Sequence, residues 1–401
     1  MSAHIAVTNL PAAGHVLPTL GVVAELVERG HRVSYVAIER YAEAVRAAGA
    51  EHVPYKSPME GMHPPTDITA DVIAQVPLAF LNESKASTAA LEAHFAGDRP
   101  DLLMYDVSIG TGPRLLAQQW KRPGVVTFPT LTGNEHFRFD KALMGDHVLD
   151  PTHPALAEYG QAFADFTAAY GMPGATMQEV EKTVPEHTLV FVAREFQPCG
   201  DTFGADHTFA GPCLTERSYQ GSWTPPAGEK KILLVSLGTG YNFQPDFFRE
   251  CVRAAAALPD WHLVIATGDR VDSADLGELP SNVEAHHRVP QLDMLAHATA
   301  FVSHAGMGST MESLFFGVPL VAVPQMVEQE VNAGRIAELG VGVRLDRTTV
   351  DAEQIRAAVR QVSTDPGIRA NTVKMQRQIR AAGGRAAAAD AVEAHLVTGT
   401  N

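Results

Sequence analysis

The stretch Ala300–Asn332 reads AFVSHAGMGSTMESLFFGVPLVAVPQMVEQEVN. Its apolar opening, Ala300-Phe301-Val302, predicts a buried strand. His304 follows, then a glycine loop running through Ala305, Gly306, Met307, Gly308, Ser309 and Thr310. Met311, Leu314 and Phe315 recur at the i, i+3, i+4 spacing of one helix face, and Gly317 ends that helix. Val318-Pro319 leads into a second apolar strand, Leu320 to Val323. Strand, glycine loop, helix and strand in this order belong to a parallel α/β sheet.

The chemistry of such a turn is anion binding. The first N–H groups of a helix have no intrahelical partner, and the helix dipole places partial positive charge there. Glycines bring the main chain close to a phosphate with no Cβ in between. His304 and Ser309 add side-chain donors. Glu312, four residues past Gly308, falls one turn further in, where a carboxylate suits ribose hydroxyls better than another phosphate. The stretch predicts a site for a nucleotide carrying phosphates. The alternative is a glycine-containing turn of an ordinary α/β protein, because a lone Gly-x-Gly is a weak motif.

Outward from this stretch, the 401-residue length favours two or three domains. A hydrophobic content of 45% supports large cores. The formal net charge of −15 opposes nucleic acid or an anionic membrane as partner, since both are polyanions. Cys199, Cys213 and Cys251 form no CxxC pair, which fits a reducing cytoplasm and gives no zinc site. The uncharged run Ile5–Ala24 is interrupted by Asn9, Pro11, Gly14, His15, Pro18 and Gly21, so it reads as strand, turn and helix, not as a signal peptide or membrane span.

The N-terminal half alternates strands and helices. Strands are expected at Ile5–Thr8, Val33–Ile38, from Val53, over Pro100–Asp106 and Val125–Phe128, and at Leu189–Ala193. Ser57–Asp71 reads as irregular, and Thr130–Val180 as loops and helices carrying His136, Phe137, Phe139 and Met144. That segment is either plain helical packing or a malleable apolar pocket. Ser218–Glu229, SYQGSWTPPAGE, has no periodicity and reads as a linker. A second alternation follows, with strands at Ile232–Leu237, Leu263–Thr267 and from Val283, and a helix at Arg335–Leu339. The expected units are 1–217, a linker 218–229, 230–384 and a last helix 385–401. The fold class is α/β, with two similar domains facing each other across a cleft. Ligands of such sheets lie beyond the carboxyl ends of the strands, where His15, Asp106, Gly238 and His304 fall.

Several chemistries are struck out by motif. GxSxG, GxxxxGK[ST], HExxH and Asp-x-Asp are all missing, and the N-terminal turn lacks a full GxGxxG. His15 is the candidate base, at a strand-to-helix turn and with an ordinary pKa of about 6.5. If the strands are neighbours, Asp106 can hold one imidazole nitrogen protonated and leave the other free. The alternative is a helix-start histidine bonded to backbone and a strand-end aspartate acting as a cap.

These residues resemble the GT-B glycosyltransferases of family 1, most closely the bacterial macrolide and flavonoid branch. The specific part is HAGMGSTMESLFFGVPLVAVPQMVEQEVNAGRIAELGVG, His304 to Gly342, which is similar to the family's donor signature. GHVLPTLGVVAELVERGH from Gly14, PDLLMYD ending at Asp106, SLGT at Ser236 and HHRVPQLDML from His286 support it. The resemblance implies two Rossmann-like domains, with the last helix returning to the first. It implies His15 as general base and Asp106 as its partner. His304, Gly308 and Ser309 are then expected at the diphosphate and Glu312 at the ribose, with Gly238, Thr239, Gly306, Met307 and Thr310 as further donor contacts. Arg288, Val289 and Gln291 are expected at the nucleotide base, where many relatives carry a tryptophan that this chain lacks. Glu328-Gln329 stands where Asp-Gln often contacts the donor sugar. Pro11, Met59, Phe80, Phe128, His136, Phe137 and Met144 are the expected acceptor contacts.

The implied reaction is metal-independent and inverting, moving a hexose from a UDP-sugar, UDP-glucose first, to a hydroxyl of a hydrophobic natural product such as a macrolide or flavonoid. The nucleotide sugar is a co-substrate, and no cofactor is expected. The alternatives are a dTDP-deoxysugar-using antibiotic glycosyltransferase, a nucleotide-sugar epimerase or hydrolase on the same fold, and a non-catalytic partner, against which the retained His15 argues. The remaining expectations are a cytoplasmic monomer or weak homodimer.

Overall fold

The computed structural model describes residues 2–62, 69–144, 148–228 and 230–398. The N-terminal half supplies β1 (His4–Thr8), β2 (Arg32–Ala37), β3 (Glu51–Pro54), β4 (Leu102–Asp106), β5 (Gly124–Phe128), β6 (Glu186–Val190) and β7 (His207–Phe209). They pair in parallel in the order β3-β2-β1-β4-β5-β6-β7. The second sheet holds β8 (Lys231–Ser236), β9 (Trp261–Ala266), β10 (Val283–His286), β11 (Ala298–Ser303), β12 (Leu320–Ala322) and β13 (Gly342–Arg344). Its order is β10-β9-β8-β11-β12-β13, again parallel. The chain is thus two Rossmann-like α/β sheets, the GT-B plan. β1, HIAVT, and β4, LLMYD, are buried along their whole length, as expected of strands covered by helices on both faces.

Strand order reverses between β1 and β4 in one sheet and between β8 and β11 in the other. Connections leaving these neighbours run to opposite sides and open a crevice at the strand ends. Each crevice takes its chemistry from the two loops that border it. In the first, Thr8 pairs with Tyr105, one residue before Asp106. In the second, Ser236 pairs with Ser303, one residue before His304.

An apolar cluster crosses between the halves, joining Leu131, Val190, Val192 and Phe196 to Ile232, Leu234, Phe301 and Leu314. The C-terminal helix Gly384–Thr398 contributes Ala388, Ala389 and Val392 to the N-terminal core. Arg29 binds Asp390 at 2.6 Å and Glu393 at 2.7 Å along the same seam. No helix among the described residues is long and apolar enough to cross a membrane.

Most element boundaries shift by a residue or two from expectation, and three shift further. The helix expected after the glycine loop already begins at Met307, so Gly308, Ser309 and Thr310 form its first turn. The helix expected at Arg335–Leu339 spans Val327–Glu338, because its buried face includes the polar Gln329 and Asn332 and so shows little apolar periodicity. The strand expected at Leu189–Ala193 is β6, which ends at Val190; Phe191 to Ala193 stay buried beyond the sheet pairing. Within the segment expected to be irregular, residues 63–68 lie outside the described residues.

Candidate active site

His15 is the third residue of the helix Ala13–Glu28, which follows β1, and Asp106 closes β4. The strands are neighbours, and His15 Nδ1 lies 2.7 Å from Asp106 Oδ2. A carboxylate only accepts, so Nδ1 carries the proton and Nε2 is left as the basic nitrogen. Asp106 is fully buried, and its Oδ1 accepts the Ser108 N–H at 2.8 Å. Burial presses the His15 pKa down, but the charge and hydrogen bond of Asp106, with the charge of Glu328, outweigh it and hold the pKa above its ordinary value. Glu328 belongs to the other half of the chain, so the two crevices face one space.

A buried polar network supports the dyad. Thr19 Oγ1 donates to the His15 carbonyl at 2.9 Å, Asn9 Nδ2 donates to Thr19 Oγ1 at 3.1 Å, and the Tyr35 hydroxyl donates to Asn9 Oδ1 at 2.6 Å. Sequence reading did not find these residues. Asn9 and Tyr35 carry no motif, and only the packing of β1 against β2 brings them together.

In the second crevice the helix Met307–Phe316 starts at Gly306 with no side-chain cap, leaving its first N–H groups for a ligand. Ala305, which precedes it, has φ +61°, a conformation unfavourable for a residue with a Cβ. Ser303 Oγ accepts the Ala305 N–H at 3.2 Å and Asn332 Nδ2 donates to the Ala305 carbonyl at 3.0 Å, which fixes the turn. A Cβ at Gly308 would meet nothing within 4 Å, so the space beside the first helical turn is open. Gly238 and Gly306 are glycines for a different reason: the His304 ring lies against both, and a Cβ at Gly238 would come 2.5 Å from Nε2.

His304 is held neutral. Burial lowers its pKa to about 4, opposed only in part by the Ser236 main chain, and its Nδ1 is buried without a hydrogen-bond partner among the described residues. It therefore brings no charge to the crevice. Two neighbours are committed to the fold rather than to a ligand. The Met307 side chain is buried in the core, leaving its N–H, and Thr310 gives both N–H and hydroxyl to the Gly306 carbonyl, at 2.9 and 3.0 Å. Ser309 Oγ accepts from Gln291 Nε2 at 3.3 Å, and Thr239 is exposed.

Glu312 is buried and holds two partners. Arg217 Nη2 donates to Oε1 at 2.6 Å and Gln291 Nε2 to Oε2 at 2.5 Å. Arg217 lies between β7 and β8, at the end of the expected N-terminal unit, and is not among the residues expected from sequence. Arg288 is exposed and forked onto Asp269, with Nε and Nη2 at 3.1 and 2.5 Å from the two carboxylate oxygens; Val289 beside it is half-buried. Glu328 Oε1 accepts from Thr130 Oγ1 of the N-terminal half at 2.7 Å and from Asn332 Nδ2 at 2.8 Å. Gln329 is buried, and its Oε1 takes the Gln325 N–H at 2.8 Å. Glu328 and Gln329 therefore differ: the first spans the cleft, while the second holds the turn before its own helix.

Among the expected acceptor contacts, Pro11, Met59, Phe80, Phe128, Phe137 and Met144 are half-buried and His136 is exposed. Phe128 and Phe137 pack against the cluster that crosses between the halves, and Phe137 stacks on Phe139 at 6.1 Å.

Residues 251–394 match a family model described as the erythromycin biosynthesis protein CIII-like C-terminal domain. Over the whole chain, the NDP-glycosyltransferase YjiC of Bacillus licheniformis is 36% identical, with 98% of each protein covered. The oleandomycin glycosyltransferase of Streptomyces antibioticus is 37% identical over 98% of this chain and 91% of its own. The crystal structure of CalG4, the calicheamicin glycosyltransferase, aligns with a TM-score of 0.88 at 37% identity, covering 100% of both chains. The chain belongs to the GT-B glycosyltransferases of family 1.

Proposed function

We propose that this glycosyltransferase transfers a hexose, glucose from UDP-glucose, to a hydroxyl of a hydrophobic natural product, with inversion and without a metal. The observation that carries the reading is the His15–Asp106 pair at 2.7 Å, set across one cleft from the uncapped helix start at Gly306. His15 Nε2 takes the acceptor proton as the acceptor oxygen bonds to the anomeric carbon. The bond from that carbon to the diphosphate oxygen breaks on the opposite side, and the nucleoside diphosphate departs. Asp106 stabilises the imidazolium that forms. The helix N-terminus, with the His304 and Ser309 donors, meets the charge developing on the diphosphate.

Glu312 is assigned to the ribose and Glu328 to the transferred sugar. Arg288, its plane fixed by Asp269, is assigned to the face of the base. The likeness to the oleandomycin and calicheamicin glycosyltransferases supports a macrolide or other antibiotic-type aglycone. A dTDP-deoxysugar donor is the competing reading. The test is incubation with UDP-glucose or a dTDP-sugar and a panel of macrolide, flavonoid and phenolic acceptors, read by mass spectrometry. A hexosylated product of inverted configuration with UDP-glucose supports the proposal. Product only with dTDP-sugars moves the donor assignment, and nucleotide release with no glycosylated product overturns the transferase reading.

A further inference from the structure

Glu312 is a desolvated carboxylate beside an anion-binding helix start. Its side chain is 9% exposed, and a carboxylate so buried requires a cation or donors around it. The cation comes from outside the donor fold: Arg217, 95 residues earlier in the chain and itself 7% exposed, reaches Oε1 at 2.6 Å. Gln291 takes Oε2. A carboxylate has about four lone-pair positions, two on each oxygen. Among the described residues, one position on each oxygen is therefore filled and one on each remains. Two vicinal hydroxyls, each donating one hydrogen, are the complement of that remainder. Arg217 keeps a further signature of an unfinished site, since its Nε is buried with no hydrogen-bond partner among the described residues.

We infer that Arg217 is a positioning residue of the donor site, which fixes the Glu312 carboxylate so that its free lone pairs meet the ribose diol. The inference rests on the assignment of Glu312 to the ribose. It makes the segment between the two sheets part of nucleotide recognition, because the guanidinium that orients Glu312 is anchored there and not in the donor sheet.

Calorimetry with UDP and with deoxyuridine diphosphate tests it on the wild type, Arg217→Met, Arg217→Lys, Glu312→Gln and the Arg217→Met/Glu312→Gln double variant. The wild type is expected to prefer the ribonucleotide. Arg217→Met is expected to weaken UDP binding about tenfold or more and to erase most of that preference, Arg217→Lys to retain part of it, and the double variant to bind no worse than Glu312→Gln alone. If Glu312→Gln erases the preference while Arg217→Met leaves it, or lowers both affinities equally, the role of Arg217 is overturned and that of Glu312 stands. If Glu312→Gln keeps the preference, the ribose assignment falls and this inference with it. Should Arg217→Met fail to fold, Arg217→Lys carries the same comparison, because lysine keeps the charge and loses the planar fork.

Discussion

Asp106→Asn is the sharpest test of the proposed chemistry. The substitution keeps the shape of the side chain and removes its charge 2.7 Å from His15 Nδ1. At that separation, with an effective dielectric constant of about 20, the attraction between carboxylate and imidazolium is roughly 6 kcal/mol. Burial opposes it, yet the His15 pKa is held above its ordinary value, so the attraction wins. The imidazolium exists only once the acceptor proton has been taken, so the attraction acts on the transition state more than on the ground state. The expected loss in kcat is about 10²–10⁴-fold, equivalent to about 3–5 kcal/mol and within what the pair can supply.

The asparagine must also choose an orientation. With its oxygen toward His15, the free Nε2 survives but the charge does not. With its oxygen toward the Ser108 N–H, its amide faces Nδ1 and forces the proton onto Nε2. Both arrangements lower the rate. The second readout is the acid limb of the pH–rate profile. In the wild type the rate climbs as His15 loses its proton, through a pKa above about 6.5. Without the Asp106 charge, burial dominates and that limb moves to lower pH, although Glu328 still acts to raise the pKa. The assay is initial velocity from about pH 5 to 9 with saturating donor, with UDP affinity and thermal midpoint as controls. A variant with wild-type kcat, or a lower kcat with the limb unmoved, refutes the dyad as the proton acceptor.

Gly308→Ala separates function from stability: the added Cβ meets no protein atom within 4 Å, so the thermal midpoint should hold while the donor KM rises about tenfold, and an unchanged KM would remove the first helical turn from the donor site. Gly21→Ala does the opposite, because its Cβ would collide with the Cys213 carbonyl; a loss of about 2 kcal/mol or more is expected in urea unfolding, and a neutral result would contradict that packing. His304 makes stability fall with acidity. Its folded pKa of about 4 lies below the unfolded value, so the native state binds fewer protons in that window and loses roughly 3 kcal/mol as the pH drops from about 6.5 to 4. Urea midpoints of His304→Asn should lack that component, and equal pH slopes in variant and wild type would exclude it.

The parts legible in the sequence are those set by neighbours along the chain. Apolar runs such as LLMYD place strands, and glycine turns place helix starts, because pleat and helix geometry act over a few residues. The His15–Asp106 pair was reachable by one further step. Both residues sit at strand ends, and a parallel sheet whose order reverses at β1 and β4 must make those ends adjacent. Arg217, Thr130 and Asn9 were not reachable in this way. Each gains its meaning from a partner on a distant element: Arg217 from Glu312, Thr130 from Glu328, and Asn9 from Tyr35, Thr19 and Thr127. Met307 and Thr310 show the converse, since the motif includes them while their side chains serve the core and the helix backbone. A motif marks where the main chain must turn; the direction of each side chain is decided by what packs behind it. The charge logic of the site follows from the same distinction. His304 is a histidine in sequence and a potential cation, but burial removes its charge, so the positive field at this turn, which we assign to the diphosphate, comes first from the N–H groups at the helix start after Gly306. Those groups are fixed by the strained turn at Ala305, which Asn332 holds from the same helix that presents Glu328 to the cleft. The proposed diphosphate and sugar contacts are thereby tied to one buried asparagine, and a change there should reach both.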